Sequence, residues 1–148
     1  MTKVIFQNEP KLSKHEADKN FNDRRTALAG QLESFIASHS RFQDKEVSIT
    51  FAHKGISSLI AIIETSDEKL VLKIPLSPTY AEGEVLFLKV WERAGVKVPR
   101  VIEDGILDGH HFALMEYIDA PILTDKYSTH KKNLQQKGFI GKWDALCD

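Results

Sequence analysis

A lysine and two glutamates near the middle of the chain could form a site for an anion. Lys73 lies within the otherwise apolar run Leu70 to Pro75, which has the composition of a short strand. Glu82 and Glu84 follow closely, at the start of a segment whose apolar residues recur at helical spacing. A strand lysine and a helix glutamate could pair across a small sheet. Such a pair either prepares the lysine to hold a phosphate or is an ordinary surface ion pair of little energetic weight.

The length and composition indicate one globular domain. The chain has 148 residues, of which 42% are hydrophobic, enough to bury one core. Its 20 basic and 21 acidic residues give a formal charge of -1, so we expect neither nucleic acid nor a membrane surface as partner. No apolar run is long enough for a signal peptide or a membrane span, and the single cysteine, Cys147, excludes an internal disulfide. We therefore expect a cytoplasmic protein.

Three apolar runs in succession predict three neighbouring strands. Val47, Ile49 and Phe51 alternate with polar residues, which is the period of a half-buried strand. The β-branched run Leu59 to Ile63 comes next, and Leu70 to Pro75 is the third. Because only short polar links separate the runs, they should form an antiparallel meander.

Two helices and a hairpin complete the predicted fold. Apolar residues at spacings of three and four predict a helix over 23–38 and a second helix over 79–94, which stops at Gly95. Asp108-Gly109 is a favoured two-residue turn and should join two strands within 100–118. The predicted class is α+β, with a five-stranded antiparallel sheet and one or two packed helices.

The composition also divides the chain into three parts. Residues 1–25 are mostly polar, and we expect a mobile N-terminal segment there. Residues 26–121 hold the predicted strands and nearly all of both helices, and they should form the globular part. Residues 122–148 form a charged C-terminal tail with too few apolar residues for a second core.

The order of the motifs resembles the N-terminal lobe of the kinase-like fold, and in detail that of the aminoglycoside phosphotransferase and choline kinase group. Leu70-Val71-Leu72-Lys73 resembles the family's third strand, and Glu82-Gly83-Glu84-Val85-Leu86 resembles its helix motif. Ala94 to Val101 resembles the link into strand four, and Leu114 to Ile118 resembles strand five with the hinge that follows it. The resemblance covers about residues 28 to 121.

The resemblance implies a nucleotide site. Lys73 would hold the α- and β-phosphates of ATP, and Glu84 would hold Lys73 in place. Glu84 fits this role better than Glu82 because Val-Leu follows it directly, as in the family's helix motif. The backbone from Glu116 to Ile118 would hydrogen-bond adenine.

A short loop takes the position of the family's phosphate-covering loop. It runs from His53 to Ser58 and departs from the protein-kinase pattern Gly-x-Gly-x-x-Gly, since it keeps only Gly55. Ser57 or Ser58 could donate a hydroxyl to a phosphate. The ligand implied is ATP, bound weakly because an incomplete cleft covers one of its faces, with Mg²⁺ arriving only together with ATP.

The groups that would complete the active site are missing after Pro121. In this fold the C-terminal lobe supplies the catalytic aspartate and the metal ligands. The segment His130-Lys131-Lys132-Asn133 lacks the aspartate of a His-x-Asp-x-x-x-x-Asn motif, and Gly141-Lys142 stands where an Ile-Asp-Trp metal motif needs one. We therefore predict no catalytic residue and no metal ligand in this chain, and no phosphotransfer by the chain alone.

Two functions stay open at this point. The first is the nucleotide-binding N-terminal lobe of an aminoglycoside-phosphotransferase-like small-molecule kinase that lacks its catalytic lobe. The alternative is a protein-interaction or regulatory module, in which Phe87 and Trp91 on the second helix belong to a surface that a catalytic lobe would otherwise cover. That surface would bind a second copy of the chain or another protein. Nothing in the sequence identifies an acceptor substrate.

Overall fold

The computed structural model describes residues 1–13, 19–53, 58–76 and 81–119, with the backbone alone at 81–84. Met1–Tyr117 form one compact unit, and Ile118–Asp148 belong to a second unit, of which only the first two residues are described. The elements of the first unit are β1 (Lys3–Phe6), α1 (Lys19–Ser38), a short 3-10 helix (Ser40–Phe42), β2 (Glu46–Phe51), β3 (Ser58–Glu64), β4 (Lys69–Pro75), α2 (Ala81–Arg93), β5 (Val101–Leu107) and β6 (His110–Glu116).

The strands form one sheet in the order β1-β2-β3-β4-β6-β5. β1 pairs in parallel with β2, and every other pair of neighbours is antiparallel. The predicted α+β class is confirmed. The sheet itself differs from the prediction, because it has six strands within the described residues and is mixed, whereas five antiparallel strands were expected. The five expected strands are β2 to β6, and β1 is the addition.

The sequence did not predict β1, because the strand that β1 pairs with is distant in the sequence. Its apolar residues are too few to show a period, and β2 follows only after the whole of α1. Asn8 continues the pairing with its side chain, since its Nδ2 donates to the Phe51 carbonyl (2.9 Å) and its Oδ1 accepts from the Phe51 N–H (2.7 Å). The ring of Phe6 stacks on that of Phe51, with 5.7 Å between centroids. These contacts attach the N-terminal segment to the edge of the sheet.

α1 packs on one face of the sheet, which we call the core face. Leu28, Leu32 and Ile36 repeat every four residues and are buried there. The helix ends at Ser38, as predicted, but begins at Lys19, earlier than the predicted residue 23. The buried strand residues of the core face are Val47, Ile49, Phe51, Leu59, Ala61, Ile63, Leu70, Leu72, Ile74, Phe112 and Leu114.

The opposite face, called the cleft face below, is only partly covered. It carries the alternate strand positions, because successive side chains of a strand point to opposite sides. α2 packs against β5 and β6, and Lys89 Nζ of α2 contacts Asp104 Oδ1 of β5 at 2.9 Å. The residues of the cleft face on β3, β4 and β6 that matter below are Ile60, Ile62, Val71, Lys73, Ala113 and Met115.

α2 ends where the sequence predicts. Gly95 has a positive φ of 81°, and the Val96 N–H donates to the Trp91 carbonyl at 2.9 Å, which closes the helix in the manner of a glycine cap. On the outer side of this helix Leu86 is 62% exposed and Phe87 is 59% exposed. Among the described helices, none is long and apolar enough to cross a membrane.

Candidate functional site

Lys73 lies in the middle of the cleft face. It is in β4, in register with Ile60 of β3 on one side and Ala113 of β6 on the other. Its side chain is half-buried and lines a pocket between the sheet and α2. Val85 and Leu88 of α2 lie on the other side of that pocket. The strand predicted for Lys73 is confirmed, and its side chain is in an apolar cleft.

An apolar surface lies beside Lys73. Ile62, Val71 and Met115 are in register across three strands, next to the row that contains Lys73. Met115 is buried, whereas Ile62 and Val71 are half-buried. A row of apolar side chains beside a cation suits a ligand that has a flat apolar ring and an anionic group.

Sequence reasoning did not assign the β6 residues of this pocket. Ala113 and Met115 line it, and so does the half-buried His111, which the sequence places beside the hairpin turn among exposed polar residues. The signal was present in the alternation of β6, because Ala113 and Met115 are two residues apart and share a face. Selecting that face required the register with Lys73, which only the folded sheet supplies.

The predicted partner of Lys73 is at the start of α2. Glu84 is in the first turn of the helix, but its side chain and that of Glu82 are outside the described residues. The pairing of Lys73 with Glu84 therefore stays a prediction. The Lys89–Asp104 contact helps to fix α2 on the sheet, although both side chains are more than 40% exposed, so the contact contributes little to stability.

The predicted hinge begins at the end of β6. The Glu116 N–H donates to the Arg100 carbonyl at 3.1 Å, and the Glu116 side chain accepts from the Arg100 N–H at 3.1 Å. The N–H of Glu116 is thus used within the fold. Tyr117 lies under the ammonium of Lys69, which is 4.3 Å from its ring centroid. Ile118 is 49% exposed and begins the second unit, and its predicted contact with adenine stays a prediction.

The predicted phosphate-covering loop is described only at its ends. Gly55 and Ser57 are outside the described residues. Ser58 begins β3 and is 9% exposed. Its carbonyl accepts a hydrogen bond from Nη1 of Arg25 at 2.8 Å. The carbonyl of Ala52, at the other end of the loop, accepts from Nη2 of Arg25 at 3.2 Å.

Arg25 is a residue that the sequence analysis did not single out. It is fully buried, and desolvation by this burial lowers the pKa of its guanidinium. The signal was its spacing, because Arg25 precedes Leu28 by three residues and Leu32 by seven, which places it on the buried stripe of α1. A charge on that stripe is unusual, since arginine is rarely buried without a partner.

The comparison with protein families agrees with the order of these elements. The sequence profile of the phosphotransferase enzyme family matches residues 48–142, which is more than half of the chain. The chain therefore belongs to the phosphotransferase enzyme family. This confirms the resemblance seen in the motifs from Lys73 to Ile118. A comparison with curated proteins finds no match.

Proposed function

We propose that this chain provides the nucleotide-binding part of a small-molecule kinase, with ATP and its Mg²⁺ as the ligand. The observation that carries the proposal is the position of Lys73, half-buried beside the apolar row of Ile62, Val71 and Met115 in a member of a phosphotransferase family. A strand lysine beside an apolar face is what a nucleotide needs, because its base is flat and its phosphates are anionic.

Each group would make a different part of the contact. The adenine ring would lie against the cleft face, and the ammonium of Lys73 would contact the α- and β-phosphates. Glu84 would orient Lys73, and the backbone between Glu116 and Ile118 would hydrogen-bond the ring. Gly55, Ser57 and Ser58 would approach the phosphates from the loop. Binding would be weak, because one sheet face covers only one side of the nucleotide.

Binding and phosphoryl transfer are separate in this proposal. Transfer needs a residue that orients the attacking hydroxyl. It also needs carboxylates that hold the metal ion, because the metal ion stabilises charge in the transition state. The sequence after Pro121 has no His-x-Asp-x-x-x-x-Asn arrangement. The 148-residue chain alone should therefore bind ATP without transferring its γ-phosphate.

The decisive experiment is thermal unfolding with and without nucleotide. A ligand that binds only the folded state stabilises it by RT ln(1 + [L]/Kd), about 2.7 kcal/mol at a hundredfold excess over Kd. We expect ATP with Mg²⁺ at millimolar concentration to raise the Tm, and Mg²⁺ alone to leave it unchanged. No rise with ATP would contradict nucleotide binding.

A second candidate function rests on the outer side of α2. Leu86, Phe87, Val90 and Trp91 are each about half exposed or more, from 48% to 62%. Clustered apolar side chains of this size often belong to a protein interface. An interaction module would use this surface to form a homodimer or to bind another protein. Light scattering and thermal unfolding together distinguish the two functions. A monomer whose Tm rises with ATP supports the kinase. A dimer whose Tm does not respond to ATP supports the interaction module.

A further inference from the structure

α2 is apolar on two opposite sides. On the inner side Val85 and Leu88 line the pocket between the helix and the sheet. The outer side carries four apolar residues, which we call the outer surface: Leu86, Phe87, Val90 and Trp91. A surface helix normally has one apolar stripe, and a helix that is apolar all round is normally buried all round. The sheet covers the inner side of α2, and the outer surface is exposed.

The outer surface is continuous. Leu86 and Val90 are four residues apart, as are Phe87 and Trp91, so each pair lies side by side on the helix. The ring centroids of Phe87 and Trp91 are 6.1 Å apart. Single exposed apolar residues are common on proteins, but a continuous patch with two aromatic rings has the composition of the centre of an interface.

The two ends of α2 carry opposite charges beside this surface. Glu82 is in the first turn of the helix, and Arg93 is its last residue and is exposed. Eleven residues separate them, close to three turns, so the backbone places both along the same edge of the outer surface, at opposite ends. Lys97, just after the helix, is a second exposed cation at the same end as Arg93.

This distribution of charge is complementary to itself. If two copies of α2 run antiparallel about a two-fold axis, the acidic start of each helix lies beside the basic end of the other. The four apolar residues between the ends then meet their counterparts. The helix dipoles are also opposed in this arrangement, whereas a parallel pair would bring like charges together. The surface therefore fits a second copy of the chain.

We propose that the outer surface of α2 is a dimer interface, on which a second copy of this chain packs its own α2 in the antiparallel direction. Glu82 lies beside Arg93 of the partner subunit, and the two-fold axis repeats this pair at the other end. The proposal rests on the second candidate function, the interaction module, and names the partner. It does not depend on nucleotide binding.

The size of the surface makes the dimer weak. Four side chains that are about half exposed form a patch of a few hundred Å², so two copies would bury less than about 1,200 Å² in total. Interfaces of that size belong to weak or transient complexes, and we expect a Kd on the order of 10–100 µM. In more dilute solution the chain would be a monomer with its outer surface exposed.

Sedimentation equilibrium over protein concentrations from about 5 to about 500 µM tests the dimer, because this range spans the expected Kd. We expect the mean mass to rise from that of one chain towards that of two. Trp91→Ala should weaken association by at least about tenfold, since an aromatic residue at the centre of an interface contributes much of its binding energy. Because Trp91 is 49% exposed, the variant should keep its fold. A wild-type monomer at every concentration would overturn the proposal.

Charge reversal tests the antiparallel arrangement. Arg93→Glu and Glu82→Arg each place like charges together at both ends of the dimer, and each should weaken association by at least about fivefold. The double variant restores opposite charges and should associate within about twofold of wild type. Arg24→Glu is the matched control, because this exposed residue of α1 is on the other face of the sheet and its reversal changes the net charge equally. Failure of the double variant to recover would overturn the arrangement.

The dimer and the functions proposed above fail separately. A monomer whose Tm rises with ATP would overturn the dimer and leave the nucleotide site in place. A monomer that binds a different, purified protein through Trp91 would keep the interaction module and overturn the second copy as its partner. A dimer that Trp91→Ala does not weaken would place the interface elsewhere and would also overturn the proposal.

Discussion

Replacing Phe42 by alanine should lower the free energy of unfolding by about 3–5 kcal/mol, the usual cost of removing a buried aromatic ring. Phe42 is fully buried at the end of the 3-10 helix that follows α1. Its ring packs against that of His39, with 5.4 Å between centroids. The cavity would lie where the turn after α1 meets the core face. Because domains of this size are stable by only about 5–15 kcal/mol, the variant should be close to unfolding.

The matched control is the same substitution at an exposed phenylalanine of α2. Phe87 of α2 is 59% exposed, so Phe87→Ala should change the free energy of unfolding by no more than about 0.5 kcal/mol. Urea denaturation of both variants measures the difference. Equal losses would mean either that the core does not centre on α1 or that the outer side of α2 is covered in solution.

Replacing Lys73 by alanine should weaken the binding of ATP with Mg²⁺ by at least about tenfold, because a hydrogen bond between charged groups contributes about 1.5–3 kcal/mol. Lys73 lies on the cleft face beside the apolar row and lines the pocket under α2, and the phosphates would lose their main charged contact. Adenosine, which has no phosphate, should bind the variant as it binds wild type. Isothermal titration of both ligands measures the two effects separately.

Lys69→Ala is the matched control for this substitution. Lys69 is on the same strand and, four residues away, on the same face. Its ammonium is engaged elsewhere, 3.8 Å from Glu64 and over the ring of Tyr117. The control should keep its affinity for ATP. An equal loss in both variants would mean that the nucleotide responds to general positive charge, and no loss in either would remove Lys73 from the site.

The local pattern was enough to predict the part of the fold that is built from neighbouring segments. Alternation predicted β2, and the Asp108-Gly109 turn predicted the hairpin of β5 and β6. Both turn residues have positive φ, 50° and 75°, as that two-residue turn requires. Gly95 likewise ended α2 as expected. Such features depend on a few adjacent residues, so the sequence displays them directly.

The missed features depend on residues that are distant in the sequence. β1 becomes a strand only because β2 is beside it, and Asn8 takes part through a side chain that no strand period includes. Arg25 stands on the buried stripe of α1, but its three carbonyl partners come from three other segments. For the site, the sequence indicated Lys73 on its strand. The apolar neighbours of Lys73, including Met115, followed only from the register of the folded sheet.

The central claim, that a nucleotide binds on the cleft face beside Lys73, is tested most directly by methyl NMR during titration with ATP and Mg²⁺. Ile62 and Ile63 are consecutive in β3 and point to opposite faces, which gives a control within one strand. We expect the methyl signals of Ile60, Ile62 and Val71 to shift progressively as ATP is added, while those of the buried Ile63 and Ile74 stay in place. Shifts confined to the core face, or no shift at millimolar ATP, would contradict it.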